Sequence, residues 1–306
     1  MTDPPLIRTV ELTKRFPRVT ALDKLSLSID AGVIGLVGAN GAGKSTLIKI
    51  LLGLLEPTSG SAEVLGIDVA TDGPELRGRV GYMPEHDCLP PDVSATELVV
   101  HLARMSGLPA TAARERTADT LRHVGLYEER YRPIGGYSTG MRQRVKLAQA
   151  LVHDPRLIFL DEPTNGLDPA GRDEMLALIR RIGADFGISV LVASHLLGEL
   201  ERICDHVVIV DAGQLLRSSA IGAYTEATQV LTIEVTDGDH VDGTAALAAR
   251  LTQLGVTVRR DGRLIDIALV DDTTYDRVRD LTVELGIGLI RLQQRRHRIE
   301  EVFAGV

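Results

Sequence analysis

The chain has 306 residues, a formal net charge of −8 and 44% hydrophobic residues, enough for one large domain with a buried core and a second, smaller one. The acidic balance and the 3% aromatic content exclude the basic, aromatic-rich surface typical of nucleic-acid binders. Its two cysteines offer neither a disulfide framework nor a metal-ligand spacing. No apolar run approaches the ~20 residues of a membrane-spanning helix. Because the first residues also lack a signal-peptide pattern, we expect a cytoplasmic chain.

Strands and helices alternate through the first two thirds of the chain, which is typical of an α/β protein with a largely parallel sheet. The predicted strands are Ile7–Leu12, Leu25–Ile29, Val33–Val37, Ala62–Leu65, Val80–Met83, Leu157–Leu160, Ser189–Ala193, Val207–Val210 and Gln214–Arg217. The predicted helices are Lys44–Leu55, Ala95–Met105, Ala112–His123, Met141–Val152, Ala170–Phe186 and Leu196–Cys204. Ser94 and Glu97 predict a capping box at the second of these helices. Residues from about 86 to 152 are almost all helical, and we expect them to form a lobe inserted into the α/β core.

The pattern changes near residue 222, and we predict a second domain over 229–306 after a first domain over 1–222. The predicted elements of this second domain are a strand Val230–Val235, a helix Thr244–Leu254, strands Val256–Arg259 and Leu264–Leu269, a helix Thr274–Leu285 and a strand Gly288–Leu292. This β-α-β-β-α-β order indicates a small two-layer α+β domain. A basic cluster of Arg291, Arg295, Arg296 and Arg298 near its end is interpreted as a solvated face, with a membrane or partner contact as the alternative.

A glycine-rich segment, GLVGANGAGKST at 35–46, lies between a predicted strand and a predicted helix, as a phosphate-binding loop requires. Glycines let successive backbone N–H groups face one anion, the lysine adds a mobile positive charge, and the serine hydroxyl is suited to Mg²⁺. The predicted phosphate-binding residues are Gly38, Ala39, Asn40, Gly41, Ala42, Gly43, Lys44, Ser45 and Thr46.

Two further predicted strands end in polar side chains suited to phosphoryl transfer. LIFLDEP (157–163) ends in Asp161, placed to hold Mg²⁺, and Glu162, placed to accept a proton from attacking water. VLVASH (190–195) ends in His195, which the residues alone allow to be either a γ-phosphate contact or a helix cap.

A second predicted anion site is the blunt helix start at GGYSTGMRQR (135–144). Ser138 can cap this helix and Gly140 leaves its backbone accessible, so bare N–H groups and the positive end of the helix dipole face outward. One chain therefore contains two anion-binding helix ends, of which only the first belongs to the phosphate loop.

Together these segments resemble the ATPase subunit of an ABC (ATP-binding cassette) transporter over about residues 5 to 220, with STGMRQR (138–144) in the place of the family signature. The resemblance implies a P-loop cassette with a RecA-like core, an antiparallel β subdomain and a helical lobe. It implies ATP and Mg²⁺ as cofactors and a head-to-tail dimer of two copies, in which Ser138 and Gly140 touch ATP on the other copy. It further implies an adenine contact for Phe16, an interface position for Asp168 in NGLDP (165–169), and a γ-phosphate contact for His195.

Two positions depart from the usual family pattern. Met141 replaces a glutamine of the signature and cannot supply its amide. Glu85, in VGYMPEHDCLP (80–90), replaces a glutamine that ligates Mg²⁺; a carboxylate still offers an oxygen to the ion but adds negative charge near the phosphates. We therefore expect nucleotide binding to depend more strongly on Mg²⁺.

The YMPE spelling and the ending IEEVFAGV (299–306) resemble an exporter branch that includes daunorubicin-type resistance and sodium-export ATPases. In that branch an integral membrane permease is a separate chain, so the resemblance implies a peripheral position at the inner face of the membrane and export of a drug, antibiotic, ion or lipid. Substrate contacts lie in the permease, and the sequence does not select among these cargoes.

The alternatives are a small P-loop GTPase or kinase, a non-transport cassette protein of DNA repair or translation, and a catalytically weak regulatory cassette. A small GTPase or kinase would not explain the signature helix, and this chain contains no guanine-recognition motif. The second carries coiled-coil insertions or two cassettes in one chain, whereas this chain shows neither. Against the third, Lys44, Asp161, Glu162 and His195 are all present.

Overall fold

The computed structural model describes residues 5–220, 227–237, 242–271 and 273–296. The chain divides into two compact units, Met1–Ile221 and Gly222–Val306, and each unit is described by itself. Within the described ranges no helix combines the length and the apolar character needed to cross a membrane.

The first unit contains ten strands and seven α-helices in its described residues, with a 3-10 turn at Ile134–Gly136. The strands are β1 (Ile7–Phe16), β2 (Val19–Ile29), β3 (Val33–Val37), β4 (Ser59–Val64), β5 (Ile67–Asp68), β6 (Val80–Met83), β7 (Leu157–Asp161), β8 (Ser189–Ser194), β9 (His206–Asp211) and β10 (Gln214–Ala220). The helices are α1 (Lys44–Leu51), α2 (Gly73–Arg79), α3 (Ala95–Met105), α4 (Ala110–His123), α5 (Thr139–Leu151), α6 (Pro169–Phe186) and α7 (Leu197–Leu200).

The central sheet has the order β10-β9-β3-β8-β7-β6, with β6, β7, β8, β3 and β9 parallel and β10 antiparallel at one edge. Every residue of β3, β7 and β8 is buried, as expected for parallel strands covered on both faces. Val37 is aligned with Ser194, and Asp161 with Ala193. The carboxyl ends of these three strands therefore meet at one edge, where open α/β sheets bind their ligands.

A second, antiparallel sheet has the order β2-β1-β4-β5. Its inner side chains, such as Ile7, Leu12 and Val64, join those of α1 and the central sheet in one hydrophobic core. The predicted fold class, a P-loop cassette with an antiparallel β subdomain, is confirmed.

Residues 86–152 contain α3, α4, the 3-10 turn and α5. The predicted capping box is present at α3, where Glu97 N–H donates to Ser94 Oγ at 3.2 Å and Ser94 N–H donates to Glu97 Oε2 at 2.8 Å. These reciprocal bonds satisfy two backbone donors that the helix itself leaves free.

Several predicted boundaries were wrong. The first helix ends at Leu51 rather than Leu55 because Gly53 takes a left-handed conformation, with φ 63°. The N–H groups of Gly53 and Leu54 then donate to Ile50 O at 2.8 Å and Lys49 O at 2.9 Å, which is a Schellman ending that the apolar run LIKILLGLL conceals. The helix predicted over Leu196–Cys204 is also shorter, and β5 and α2 were not predicted.

The second unit has the elements β11 (Ala227–Val235), α8 (Gly243–Gln253), β12 (Val258–Asp261), β13 (Leu264–Ala268), α9 (Thr273–Glu284) and β14 (Leu289–Arg296). The sheet order is β12-β13-β11-β14 and all pairs are antiparallel. Leu231, Ile233 and Ile265 pack with Leu247 and Val278 of the helices in a separate core. The predicted β-α-β-β-α-β order is confirmed.

Parts of two sequence predictions fall on the undescribed residues. In the basic cluster, Arg291 is exposed on β14, whereas Arg298 and the side chains of Arg295 and Arg296 lie outside the described residues. The carboxy-terminal segment 299–306 also lies outside them.

Candidate nucleotide-binding site

The predicted phosphate loop connects β3 to α1 at the carboxyl edge of the central sheet. A Cβ atom on Gly38 would lie 2.4 Å from Val210 O, and one on Gly43 would lie 2.4 Å from Ala21 O. Gly43 also needs its left-handed backbone, with φ 105°, to begin the helix. Both positions therefore require glycine, while Ala39, Asn40 and Gly41 form the exposed crest of the loop.

Lys44 is buried, with 6% of its surface exposed, and its ammonium group lies inside the curl of the loop. Nζ donates to Gly38 O at 2.7 Å and to Ala39 O at 3.3 Å, and it lies 3.6 Å from Glu162 Oε1. Ser45 and Thr46 follow in the first turn of α1 and are half-buried. The loop thus holds a positive charge under its exposed backbone, which is an arrangement suited to a phosphate group.

Asp161 is the last residue of β7 and is 3% exposed. Its Oδ1 is buried without a hydrogen-bond partner among the described residues. Burial raises the pKa of Asp161 above its ordinary value, and Glu85 and Glu162 act in the same direction, whereas the Ser45 hydroxyl and Lys44 oppose the shift. A buried carboxylate with a free oxygen beside a serine hydroxyl is suited to a hard divalent cation.

Glu162 follows Asp161 in a left-handed conformation, with φ 50°, which is uncommon and costly for a residue with a side chain. Its N–H donates to Ala193 O of β8 at 2.9 Å. Its carboxylate lies between two side chains. The Lys44 ammonium group is on the Oε1 side, and His195 Nδ1 lies 2.9 Å from Oε2. Lys44, Glu162 and His195, predicted from three separate segments, are therefore brought together.

The helix start at Ser138 has the predicted cap, since Ser138 Oγ accepts from Met141 N–H at 3.3 Å. Ser138 is exposed and Gly140 half-exposed, so the amino-terminal end of α5 faces solvent. In the described part of the chain neither residue makes a hydrogen bond to the loop 38–46. No hydrogen bond among the described residues therefore joins the two helix ends that were predicted to bind anions.

Three other predicted positions lie at or just after the ends of elements and are at least partly exposed. Phe16 ends β1 with 41% of its surface exposed, and Lys14 Nζ lies 5.3 Å from its ring centroid. Asp168 caps α6, with Oδ1 accepting from Gly171 N–H at 2.9 Å. Glu85 follows β6 and is half-buried, with Asn165 Nδ2 3.4 Å from its Oε1.

Two buried polar side chains of α5 were not among the predicted site residues. Gln143 Nε2 donates to Asn165 O at 3.1 Å, and Lys146 Nζ donates to Glu85 O at 2.9 Å. Burial lowers the pKa of Lys146, and electrostatic interaction with Cys88, Asp87, Glu85 and Asp161 opposes this shift. The apolar stripe Met141, Val145, Ala148 and Val152 indicated one buried face, but α5 is buried on more than one side, so no sequence signal marked these two residues.

The sequence and the fold of this chain are similar to those of known proteins. The ABC transporter family model matches residues 22–165. The bacitracin transport ATP-binding protein BcrA of Bacillus licheniformis is 38% identical over 212 residues, which cover 69% of this chain and 68% of that protein. The daunorubicin resistance ATP-binding protein DrrA3 of Streptomyces coeruleorubidus is 34% identical over 300 residues, covering 95% of this chain and 92% of that protein.

Among solved structures, cbiO1 from Clostridium perfringens, part of the ABC transporter complex cbiONQ, superposes with a TM-score of 0.67 and 27% identity. The match covers 72% of this chain and 90% of cbiO1. The similarity in sequence and the similarity in fold therefore point to the same family.

Proposed function

This chain belongs to the ABC transporter family as an ATP-binding subunit with ATPase activity, and we propose that two copies of it close head to tail on ATP to power export through a separate membrane permease. The observation that carries the proposal is the placement of Lys44, Glu162 and His195 within hydrogen-bonding or ion-pair distance at one sheet edge, while the anion-binding end of α5 faces solvent. Each copy then supplies one wall of the pocket that the other lacks.

ATP binding is assigned to the phosphate loop, to Phe16 and to the helix start of the second copy. The backbone N–H groups of Gly38–Thr46 would cradle the phosphates, with Lys44 neutralising their outer charge. Phe16, exposed at the end of β1, would stack on the adenine. Ser138 and Gly140 of the second copy would close over the γ-phosphate, and Asp168 would lie at the dimer interface.

The residues fit a Mg²⁺ ion, because the buried Asp161 Oδ1 has no partner within the described ranges. Asp161, Ser45 and Glu85 would hold the ion, which supplies charge neutralisation at the phosphate oxygens. Asp161 is buried, whereas Ser45 and Glu85 are half-buried, and Glu85 contributes an acidic oxygen to the site.

Hydrolysis is assigned to the Glu162–His195 pair. Glu162 is the general base that accepts the proton of the attacking water, and its left-handed backbone directs the carboxylate back toward the loop rather than along the strand. His195 holds Oε2 through Nδ1, so that the carboxylate keeps one orientation, and its remaining ring nitrogen is available to the γ-phosphate.

The two named relatives, a bacitracin transport protein and a daunorubicin resistance protein, support export as the direction and a drug-like or antibiotic cargo as its class. The match to DrrA3 also extends through the second unit. A separate permease would hold the chain at the inner face of the membrane. A steady-state phosphate-release assay on the purified protein measures the ATPase activity directly.

The experiment that tests the shared site mixes two inactive variants, Lys44→Ala and Ser138→Arg. In a mixed dimer, the intact phosphate loop of the Ser138→Arg copy faces the intact helix end of the Lys44→Ala copy, so one working site is restored. We expect the mixture to recover part of the wild-type phosphate release that neither variant shows alone. A mixture as inactive as its components, in samples in which differently tagged copies co-purify, would contradict the head-to-tail site.

A further inference from the structure

Lys146 is a buried cation in the middle of α5. Its side chain is 3% exposed, and Nζ donates to the main-chain oxygen of Glu85 at 2.9 Å. A buried ammonium group has a large desolvation cost that one neutral carbonyl only partly offsets. Its stability in this position therefore depends on negative charge in its surroundings.

The negative charge comes from the loop after β6 and from the end of β7. Asp87, Glu85 and Asp161 all act electrostatically on Lys146, and Glu85 and Asp161 also act unfavourably on each other. Lys44 does not offset this repulsion alone, since it already lies 3.6 Å from Glu162. Arg142 lies 3.8 Å from Asp87 but is partly exposed, where water and salt weaken the attraction.

The same helix also holds the facing loop. One turn before Lys146, Gln143 donates to Asn165 O at 3.1 Å, and Asn165 Nδ2 lies 3.4 Å from Glu85 Oε1. The Glu85 segment is thus held at its main chain by Lys146 and approached at its carboxylate by Asn165. Both contacts trace back to α5, whose amino-terminal end carries Ser138.

We propose that Lys146 is a positioning residue for nucleotide binding, whose buried charge balances the acidic Glu85 and keeps its segment beside Asp161. Lys146 compensates for the negative charge that Glu85 places close to the triphosphate. This inference rests on the proposed function for the role of Glu85, but its charge balance is a property of the protein without nucleotide.

The test compares wild type, Lys146→Met, Glu85→Gln and the double variant. Methionine keeps an unbranched side chain of similar length without the charge. In thermal unfolding without nucleotide, we expect Glu85→Gln to raise the Tm of Lys146→Met but not that of wild type, because only the former has an unbalanced carboxylate. For ATP with Mg²⁺, we expect Lys146→Met to raise Kd about tenfold and the double variant to return within about twofold of wild type.

A purely structural tether gives a different result. The carbonyl oxygen of residue 85 remains in Glu85→Gln, so a tether predicts the same Tm change for Glu85→Gln in both backgrounds, and that outcome would overturn the proposal. If Lys146→Met does not fold, a folded double variant supports the proposal and an unfolded one contradicts it.

Arg142→Met is the matched control, since it removes a more exposed positive charge from the same helix. Glu85→Gln should shift the Tm of Arg142→Met and of wild type equally. If Glu85→Gln instead raises the Tm of Arg142→Met as much as that of Lys146→Met, a specific role for Lys146 is contradicted. Failure of the proposed function is recognised separately, because the mixture of Lys44→Ala and Ser138→Arg would then stay inactive while the Tm comparison still stands.

Discussion

His195 Nδ1 lies 2.9 Å from Glu162 Oε2, although the two residues are 33 positions apart. They follow adjacent parallel strands, β8 and β7, and the N–H of Glu162 also donates to Ala193 O of β8. Both side chains therefore leave the sheet at the same edge, next to the phosphate loop. The opposite oxygen of Glu162 lies 3.6 Å from Lys44 Nζ, so the carboxylate joins the loop to the histidine.

Replacing Glu162 by glutamine should slow ATP hydrolysis on the order of 10²-fold or more, because the amide keeps the shape of the side chain but is not a base. ATP binding should persist, since Lys44 and the loop backbone are unchanged. The measurements are steady-state phosphate release and equilibrium binding of ATP with Mg²⁺. Near-normal turnover would remove Glu162 from the role of base.

His195→Ala should lower kcat on the order of tenfold or more while KM for ATP changes little, because it frees the Glu162 carboxylate and removes a group at the γ-phosphate. Full kinetic curves separate the two constants. His101→Ala is the control, since His101 is exposed on α3 and should leave both constants unchanged. A loss confined to KM would indicate that His195 serves binding alone.

Glu85→Gln should make nucleotide binding less dependent on Mg²⁺. Without the ion, the carboxylate of Glu85 repels the triphosphate near Asp161, and the amide does not. Titrating ATP affinity against Mg²⁺ concentration should show a higher affinity for the variant at limiting ion and a smaller difference at saturation. An identical Mg²⁺ requirement in the two proteins would count against this explanation of the substitution.

Asp205 should contribute stability that depends on pH. Burial alone would raise the pKa of Asp205, but the bonds from Val33 N–H and from Arg180 lower it below its ordinary value of 3.8. An acid with a lowered pKa binds fewer protons in the folded state than in the unfolded chain. Its stabilisation is therefore present above the ordinary pKa and is lost as the pH falls through the folded value.

Thermal unfolding of Asp205→Asn should accordingly show a lower Tm than wild type at pH 7, with the gap closing as the pH falls below about 4. Asp173→Asn is the control, because Asp173 pairs with Arg202 at the surface, where both side chains are at least 60% exposed. Such pairs contribute little. A gap that does not change with pH would indicate that Asp205 stabilises the fold through packing rather than charge.

The fold class could be predicted, and the residues of the candidate site could be selected, because their signals are local. A phosphate loop needs glycines and a lysine at close spacing between one strand and one helix, and Asp161 and Glu162 follow directly from an apolar strand. Helix endings were less certain: Gly53 ends α1 inside an apolar run, and only its left-handed backbone shows this.

By itself, the sequence determined the parallel architecture, the glycine-rich loop, the pair of carboxylates and the capped helix start at Ser138, since each depends on neighbouring residues and their periodicity. Only the tertiary structure decided that His195 meets Glu162 and that Lys146 meets Glu85. Those contacts depend on which strands are adjacent in the sheet and on how deeply α5 is buried. Long-range packing sets both, and no short stretch of the chain encodes them.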